Sequence, residues 1–225
     1  MKKIYFVLIL LWFMIFSVKA EAITVILDLN AGWNYNDLIY KKFKDNKRDL
    51  DHFMREDLNS GQGFYLEEIY WINNKWGLGL GFDKVVTSWS GESESPNGKR
   101  IFEYIYQISG PYTSLKYIMN DNITLKANFI YYNYSEHYNR KYSWQDEQID
   151  RDLERGNGLG IILGSDIAIP IKKGFIFNGG FGYRMVEIDL TEKYSDLHGE
   201  MISNSANEKL EITGLTISAG ISYKF

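Results

Sequence analysis

An all-β fold, an antiparallel, up-and-down barrel of eight strands that crosses a membrane, is what this sequence predicts, and three observations carry the prediction. The chain opens with an export leader. Its later apolar residues recur with a period of two against glycine and short polar partners, and its connections alternate short and long. Composition agrees. The 225 residues are 45% hydrophobic and 16% aromatic, with 20 glycines and 17 tyrosines against 3 prolines and no cysteine. This excludes a disordered chain, a disulfide scaffold and a thiolate metal site. With 25 Lys and Arg against 29 Asp and Glu, no basic excess points to nucleic acid.

Residues 1–22 are expected to be a signal peptide and residues 23–225 the barrel. Met1-Lys2-Lys3 is a short positive start, and Ile4 to Val18 carries no charge. That length suits the apolar core of a leader and falls short of the roughly twenty residues a spanning helix needs. Ala20-Glu21-Ala22 and Val18-Lys19-Ala20 both offer small-x-small cleavage, so the cut falls after Ala22 or after Ala20. No cysteine follows, which excludes a lipoprotein. Loss of Lys2, Lys3, Lys19 and Glu21 takes the formal net charge from −4 to −6, so the exported protein is acidic.

Strands are expected near residues 23–35, 62–72, 76–89, 101–118, 123–136, 157–170, 175–189 and 210–225. In the first, Val25, Leu27, Leu29, Ala31 and Trp33 alternate with Thr24, Ile26, Asp28, Asn30, Gly32 and Asn34. In the third, Leu78, Leu80 and Phe82 alternate with Gly77, Gly79, Gly81 and Asp83. Leu125, Ala127, Phe129 and Tyr131 face away from Thr124, Lys126 and Asn128 in the fifth. The sixth sets Leu159, Ile161, Leu163, Ile167 and Ile169 against Gly160, Gly164, Asp166 and Ala168. The seventh sets Phe175, Phe177, Phe181 and Tyr183 against Asn178, Gly180, Gly182 and Arg184. In the last, Leu215, Ile217, Ala219, Ile221, Tyr223 and Phe225 oppose Gly214, Thr216, Ser218, Gly220, Ser222 and Lys224.

The second and fourth strands are less regular. Glu67 and Glu68 are adjacent, so a regular register turns one acid toward lipid, and a bulge is expected near Glu67. In the fourth, the apolar parity passes from Phe102, Tyr104, Tyr106 and Ile108 to Leu115 and Tyr117. A second bulge is therefore expected near Gly110, beside Pro111.

The choice between a soluble sheet and a membrane barrel rests on the second parity. A solvated face would carry long charged side chains, whereas a narrow lumen suits glycine and short polar residues. Charges agree, because a Lys or Arg at mid-bilayer on the lipid face costs roughly 2–4 kcal/mol. Asp28, Asp83, Lys126, Asp166, Arg184 and Lys224 all fall on the glycine parity and are expected to pair as a lumen charge network. Eight strands enclose a space that side chains just fill, so a sealed lumen is expected. The lumen glycines keep a narrow small-solute pore as the alternative.

Asn73-Asn74-Lys75, Asn120-Asp121-Asn122 and Lys172-Lys173-Gly174 read as tight periplasmic turns. Residues 36–61, 90–100, 137–156 and 190–209 read as long hydrophilic extracellular loops. Trp33, Tyr35, Trp71, Trp76 and Trp89 near strand ends would form the aromatic girdles.

In architecture the whole exported chain resembles the small bacterial outer-membrane barrels of the OmpA/OmpX type, which include opacity- and adhesin-like proteins. The sharpest local feature is the last strand, with Ile217, Ala219, Ile221, Tyr223 and the terminal Phe225. It is similar to the signal by which the outer-membrane assembly machinery recognises its clients. The resemblance implies an outer membrane of the Gram-negative type, with membrane lipid and lipopolysaccharide as neighbours. It also admits small-solute channels and a few lipid A enzymes. No further domain is expected after Phe225, so a peptidoglycan tether is not expected.

Function is sought in the loops. The first carries Lys41, Lys42, Lys44, Lys47 and Arg48 among acids, where lipopolysaccharide phosphates or a host polyanion could meet them. Within it Leu50, Phe53, Met54 and Leu58 have helical spacing. The third mixes Arg140, Lys141, Arg151 and Arg155 with Asp146, Glu147, Asp150 and Asp152. His52, His137 and His198 show no paired metal spacing, so no metal and no cofactor are expected. Ser135-x-His137 is similar, in reversed order, to the hydroxyl–base pair of outer-membrane lipid A deacylases, with Asp196 as the only candidate acid. An omptin-like protease would imply ten strands where eight are counted. The expectation is a non-enzymatic surface-interaction, adhesion or envelope-structural protein. A small-solute pore is second, a lipid A-modifying enzyme third, and a host or envelope ligand would bind at the loops.

Overall fold

The computed structural model describes residues 26–44, 47–48, 60–95, 98–142, 148–194, 201–203 and 208–224. Eight strands form the barrel: β1 (Ile26–Lys44), β2 (Ser60–Trp71), β3 (Trp76–Ser95), β4 (Gly98–Asn120), β5 (Ile123–Tyr142), β6 (Gln148–Lys172), β7 (Phe175–Tyr194) and β8 (Glu208–Lys224). Each pairs antiparallel with the next, and β8 pairs with both β7 and β1, which closes the ring and leaves no edge. Two short strands, Lys47–Arg48 and Met201–Ser203, pair antiparallel with the far ends of β1 and β7.

The near rim is made of tight turns whose chemistry was written in the sequence. Lys173 and Gly174 both have positive φ, at 49° and 85°, as the two-residue hairpin turn matched to strand twist demands. The Asn73 side-chain oxygen accepts from the amides of Lys75 and Trp76 at 2.8 and 2.9 Å. Asn120 does the same for Asn122 and Ile123, both at 3.0 Å.

The far rim differs from expectation. Strands continue through most of the residues read as loops: β3 reaches Ser95, β4 starts at Gly98, β5 ends at Tyr142 and β6 starts at Gln148. Lys41, Lys42 and Lys44 belong to β1, and Lys47 and Arg48 to its short partner. A 20-residue strand such as β5, at about 3.3 Å per residue and a tilt near 45°, rises about 45 Å. The apolar band of such a barrel is about 25 Å tall, so the wall stands well clear of the membrane.

Within the band the wall is apolar outside. Leu80, Phe82, Phe129, Leu159, Leu163, Phe181, Ile217 and Ile221 are all exposed, Leu159 to 70%. Above the band the polarity reverses. Outward positions become Gln62, Asn133, Glu187, Asp189 and Glu211, while Leu38, Val85, Ile108, Tyr134, Ile188, Leu190, Leu210 and Ile212 turn inward and pack together, buried. The barrel is therefore inside-out where it meets lipid and apolar-cored where it meets water.

Neither expected bulge is found, and at Gly110 the reversal is the reason. β4 pairs with β3 without a shift from Trp76↔Tyr117 to Ser95↔Gly98, and its inward parity is even throughout, from Tyr106 through Gly110 to Lys116. The apolar residues change sides along β4 because the surrounding medium changes. No residue is inserted at Gly110. Near Glu67 the β2 register is also continuous with β1 and β3: Glu67 turns inward and Glu68 outward, where it accepts from the Tyr70 hydroxyl at 2.6 Å. Register shifts occur instead between Ile118 and Asn120, Glu136 and His137, Arg155 and Gly156, and Pro170 and Lys172.

Two girdle assignments change as well. Trp33, Tyr35 and Trp76 are outward and exposed, with the Trp76 ring packed at a tilt against Tyr117, 4.7 Å between centroids. Trp71 turns to the inner mouth and donates to Asp28 at 2.6 Å. Trp89 turns inward and packs on the apolar core.

Candidate functional site

Two layers fill the barrel. The lower is ionic and splits into two groups. In one, Arg184 on β7, fully buried, donates to Asp83 on β3 at 2.7 Å and also contacts the Tyr132 hydroxyl. Tyr132 donates to the same Asp83 oxygen at 2.7 Å, and its ring lies beneath the guanidinium at 5.5 Å. The second Asp83 oxygen takes the Asn34 amide at 3.0 Å. Asn36 donates to Asn34 at 2.9 Å and Thr216 donates to Asn36 at 2.7 Å, so one network of bonds joins five strands. In the other group Lys116 bonds Glu67 at 2.6 Å and approaches Asp166 at 3.7 Å, Ser114 donates to Glu67 at 2.5 Å, and Lys126 bonds Asp166 at 2.5 Å.

Burial makes these bonds matter. A buried ion left without its partner costs several kcal/mol, and here the acids and cations alternate so that each is answered. The small residues give the large ones room. A Cβ on Gly160 would meet the Tyr132 ring at 2.7 Å. What remains among these groups is a space of about 30 Å³ lined by Asn30, Tyr65, Glu67, Asp83, Asn128 and Asp166, on the scale of a single water molecule.

The upper layer is the apolar plug. Leu38, Ile108, Ile130, Tyr132, Ile188 and Ile212 are each at most 1% exposed, and they come from β1, β4, β5, β7 and β8. Side chains from around the ring thus meet at the barrel axis.

Of the residues expected in a lumen network, Asp83 and Arg184 pair, and so do Lys126 and Asp166. Asp28 is buried and engaged by Trp71, while Lys224 is exposed at the strand end. Glu67 and Lys116 belong to the layer and were missed, because their strands were read as irregular. Their signal was present: Lys116 shares a parity with Ser114, and Glu67 with Gly61, Gly63 and Tyr65. In the last strand Ile217, Ala219 and Ile221 face outward, and Tyr223 packs its ring on Phe175 at 4.8 Å. Phe225, the leader, His52, His198, Asp196 and the Leu50, Phe53, Met54, Leu58 segment lie outside the described residues.

On the outer wall above the band sits a polar cluster. His137 Nδ1 meets Asp152 at 3.2 Å and its Nε2 meets Asp150. Arg155 also bonds Asp152 and lies 4.0 Å from Glu192. Partial burial pushes the Asp152 carboxyl up, but the bonds from Arg155 and His137 outweigh it and hold the group below its ordinary range. Higher still, Arg140 lies over the rings of Tyr142 and Tyr138 at 5.0 and 6.0 Å. Among the described residues, no three metal-ligating side chains converge.

No protein-family model matches the sequence, and no curated protein does. Solved structures with a similar chain path include Ail, the attachment invasion locus protein of Yersinia pestis, at 15% identity over 90% of this chain and 100% of that one, with a TM-score of 0.47. The outer membrane protease OmpT of Escherichia coli is similar at 15% identity over 91% and 99%, with 0.48. The outer membrane protein OprG of Pseudomonas aeruginosa is similar at 15% over 89% and 96%, with 0.46. The closed antiparallel barrel itself is carried by the strand pairing of this chain, in which β8 joins both β7 and β1.

Proposed function

We propose that the chain is a closed-lumen barrel of the outer membrane of a Gram-negative-type bacterium, and that it works through the wall and loops it raises above the surface. The observation that carries this reading is the apolar plug. A water-filled path needs polar lining along its length, and here residues at most 1% exposed meet at the axis above a paired ionic layer. Support also comes from the height of the wall, whose far strand ends rise above the apolar band to where a host or envelope ligand would reach them. The reading involves no bond-making chemistry. His137, the base that a hydrolase would need beside Ser135, has both ring nitrogens at aspartates. Lipid, lipopolysaccharide and the assembly machinery are the expected membrane partners.

Single-channel recording in a planar bilayer tests this. Protein whose insertion is shown by a heat-sensitive mobility shift is expected to pass no steady current. Salt-dependent steps would establish the small-solute pore in its place.

A further inference from the structure

Near the tight-turn rim the outer wall carries a shallow, open apolar groove. It has a volume of about 660 Å³, and it runs across β2, β1, β8 and β7 where the ring closes. Ala31 and Ala219 make its floor, and Leu66, Phe177, Ile221 and Tyr223 are among the side chains that wall it. The register explains the depression. Ala31 lies between Leu66 and Ile221, and Ala219 pairs with Gly179, so short side chains sit inside a frame of long ones.

At the lower end of the groove the chemistry changes sign. Phe175 and Tyr223 close it, and immediately beyond them come the turn Lys172-Lys173-Gly174 and the strand end Lys224. The Lys224 amide donates to the Gly174 carbonyl at 2.9 Å, which ties these two basic segments together. Lys172, Lys173 and Lys224 are all exposed. Two acids lie close by, and Asp28 is the cross-strand neighbour of Lys224. Glu68, on the opposite wall, takes the Tyr70 hydroxyl at 2.6 Å, and Asp28, inside the mouth, takes the Trp71 indole at 2.6 Å.

We propose that this groove seats one phospholipid of the periplasm-facing leaflet, its acyl chain against Ala31 and Ala219 and its phosphate on Lys172, Lys173 and Lys224. Apolar groove and cationic end are in the order a lipid of that leaflet presents, tail toward the membrane centre and phosphate at the interface. A lysine near an anionic lipid surface is worth about a fivefold gain in binding, so an anionic headgroup is preferred over a zwitterionic one. The inference rests on the chain spanning a membrane with its tight turns toward the periplasm.

Native mass spectrometry tests it on the whole exported chain, released from nanodiscs of mixed phosphatidylglycerol and phosphatidylethanolamine. The native protein is expected to retain one lipid, enriched in phosphatidylglycerol by at least about fivefold over the nanodisc mixture. Ala31→Phe fills the floor from β1 without touching the last strand, and is expected to cut retention by about tenfold. Lys173→Asn with Lys224→Gln keeps the turn, since Asn tolerates positive φ, and is expected to keep the lipid while losing the headgroup preference. Equal retention by native protein and Ala31→Phe would overturn the site. So would a native lipid profile that matches the nanodisc, or a second protein chain in place of lipid. A heat-sensitive mobility shift run on every sample separates these results from a failure to insert, which would sink the membrane-spanning reading itself.

Discussion

Replacing Arg184 with methionine is expected to lower the stability of the folded barrel by about 3–5 kcal/mol, the largest effect of any single charge in the lumen. The reason is what the substitution leaves behind. Asp83 is 4% exposed, and without the guanidinium 2.7 Å away its carboxylate keeps only the neutral donors Tyr132 and Asn34. Hydrogen bonds from neutral groups do not cancel a buried charge. Asp83→Asn in the same background removes the charge; its one amide oxygen can keep the Asn34 bond while its NH2 donates to the Tyr132 hydroxyl, which can accept as well as donate. The double variant is therefore expected to regain stability, with a coupling energy of about 1–3 kcal/mol in the four-way cycle. Urea unfolding of protein refolded into lipid vesicles, followed by loss of the heat-sensitive mobility shift, measures both. An Arg184→Met protein that unfolds at the native urea concentration would show that the pair is a bystander, with the plug holding the barrel together.

How much of this network could be read beforehand follows from where each residue stands on its strand. Asp83 and Arg184 sit among glycines, opposite Phe82 and Tyr183, and parity alone turns them inward. Their pairing was not legible, because the two residues lie 101 positions apart and only ring closure and tilt bring them together. Glu67 and Lys116 were lost for a different reason. Parity reading assumes that one face of a strand meets one medium along its whole length. β4 breaks that assumption: Tyr106 and Ile108 are apolar because they face the plug, and Leu115 and Tyr117 are apolar because they face lipid. The same assumption cut the strands short. Leu38 and Leu190 fall in stretches that looked like hydrophilic loops because charged residues lie close to them in sequence, yet they are buried within the raised wall. Alternation was present there too, with its apolar and polar faces exchanged.

That exchange yields the second large effect, and strand β8 carries the whole test. Ile217 faces outward within the apolar band, so Ile217→Arg is expected to cost about 2–4 kcal/mol. Thr213 faces outward on the same strand, two ladder rungs from Glu211, at the upper edge of the band. Thr213→Arg is expected to cost at most about 1 kcal/mol, because the penalty falls away toward the interface. The inward residues reverse this order. Ile212 is fully buried against the plug, and Ile212→Ala is expected to cost about 2–5 kcal/mol, as a cavity in a packed core does. Ile217→Ala exposes only lipid-facing backbone to acyl chains that can refill the space, and is expected to cost about 1 kcal/mol. Unfolding in vesicles gives all four values. If Thr213→Arg were as damaging as Ile217→Arg, the band would reach higher than the wall's polarity indicates and the barrel would protrude less. If Ile212→Ala were harmless, the plug would be loosely packed, and the expectation of a silent bilayer would go with it. The two failures are independent, since one reports what lies outside the wall and the other what lies within it.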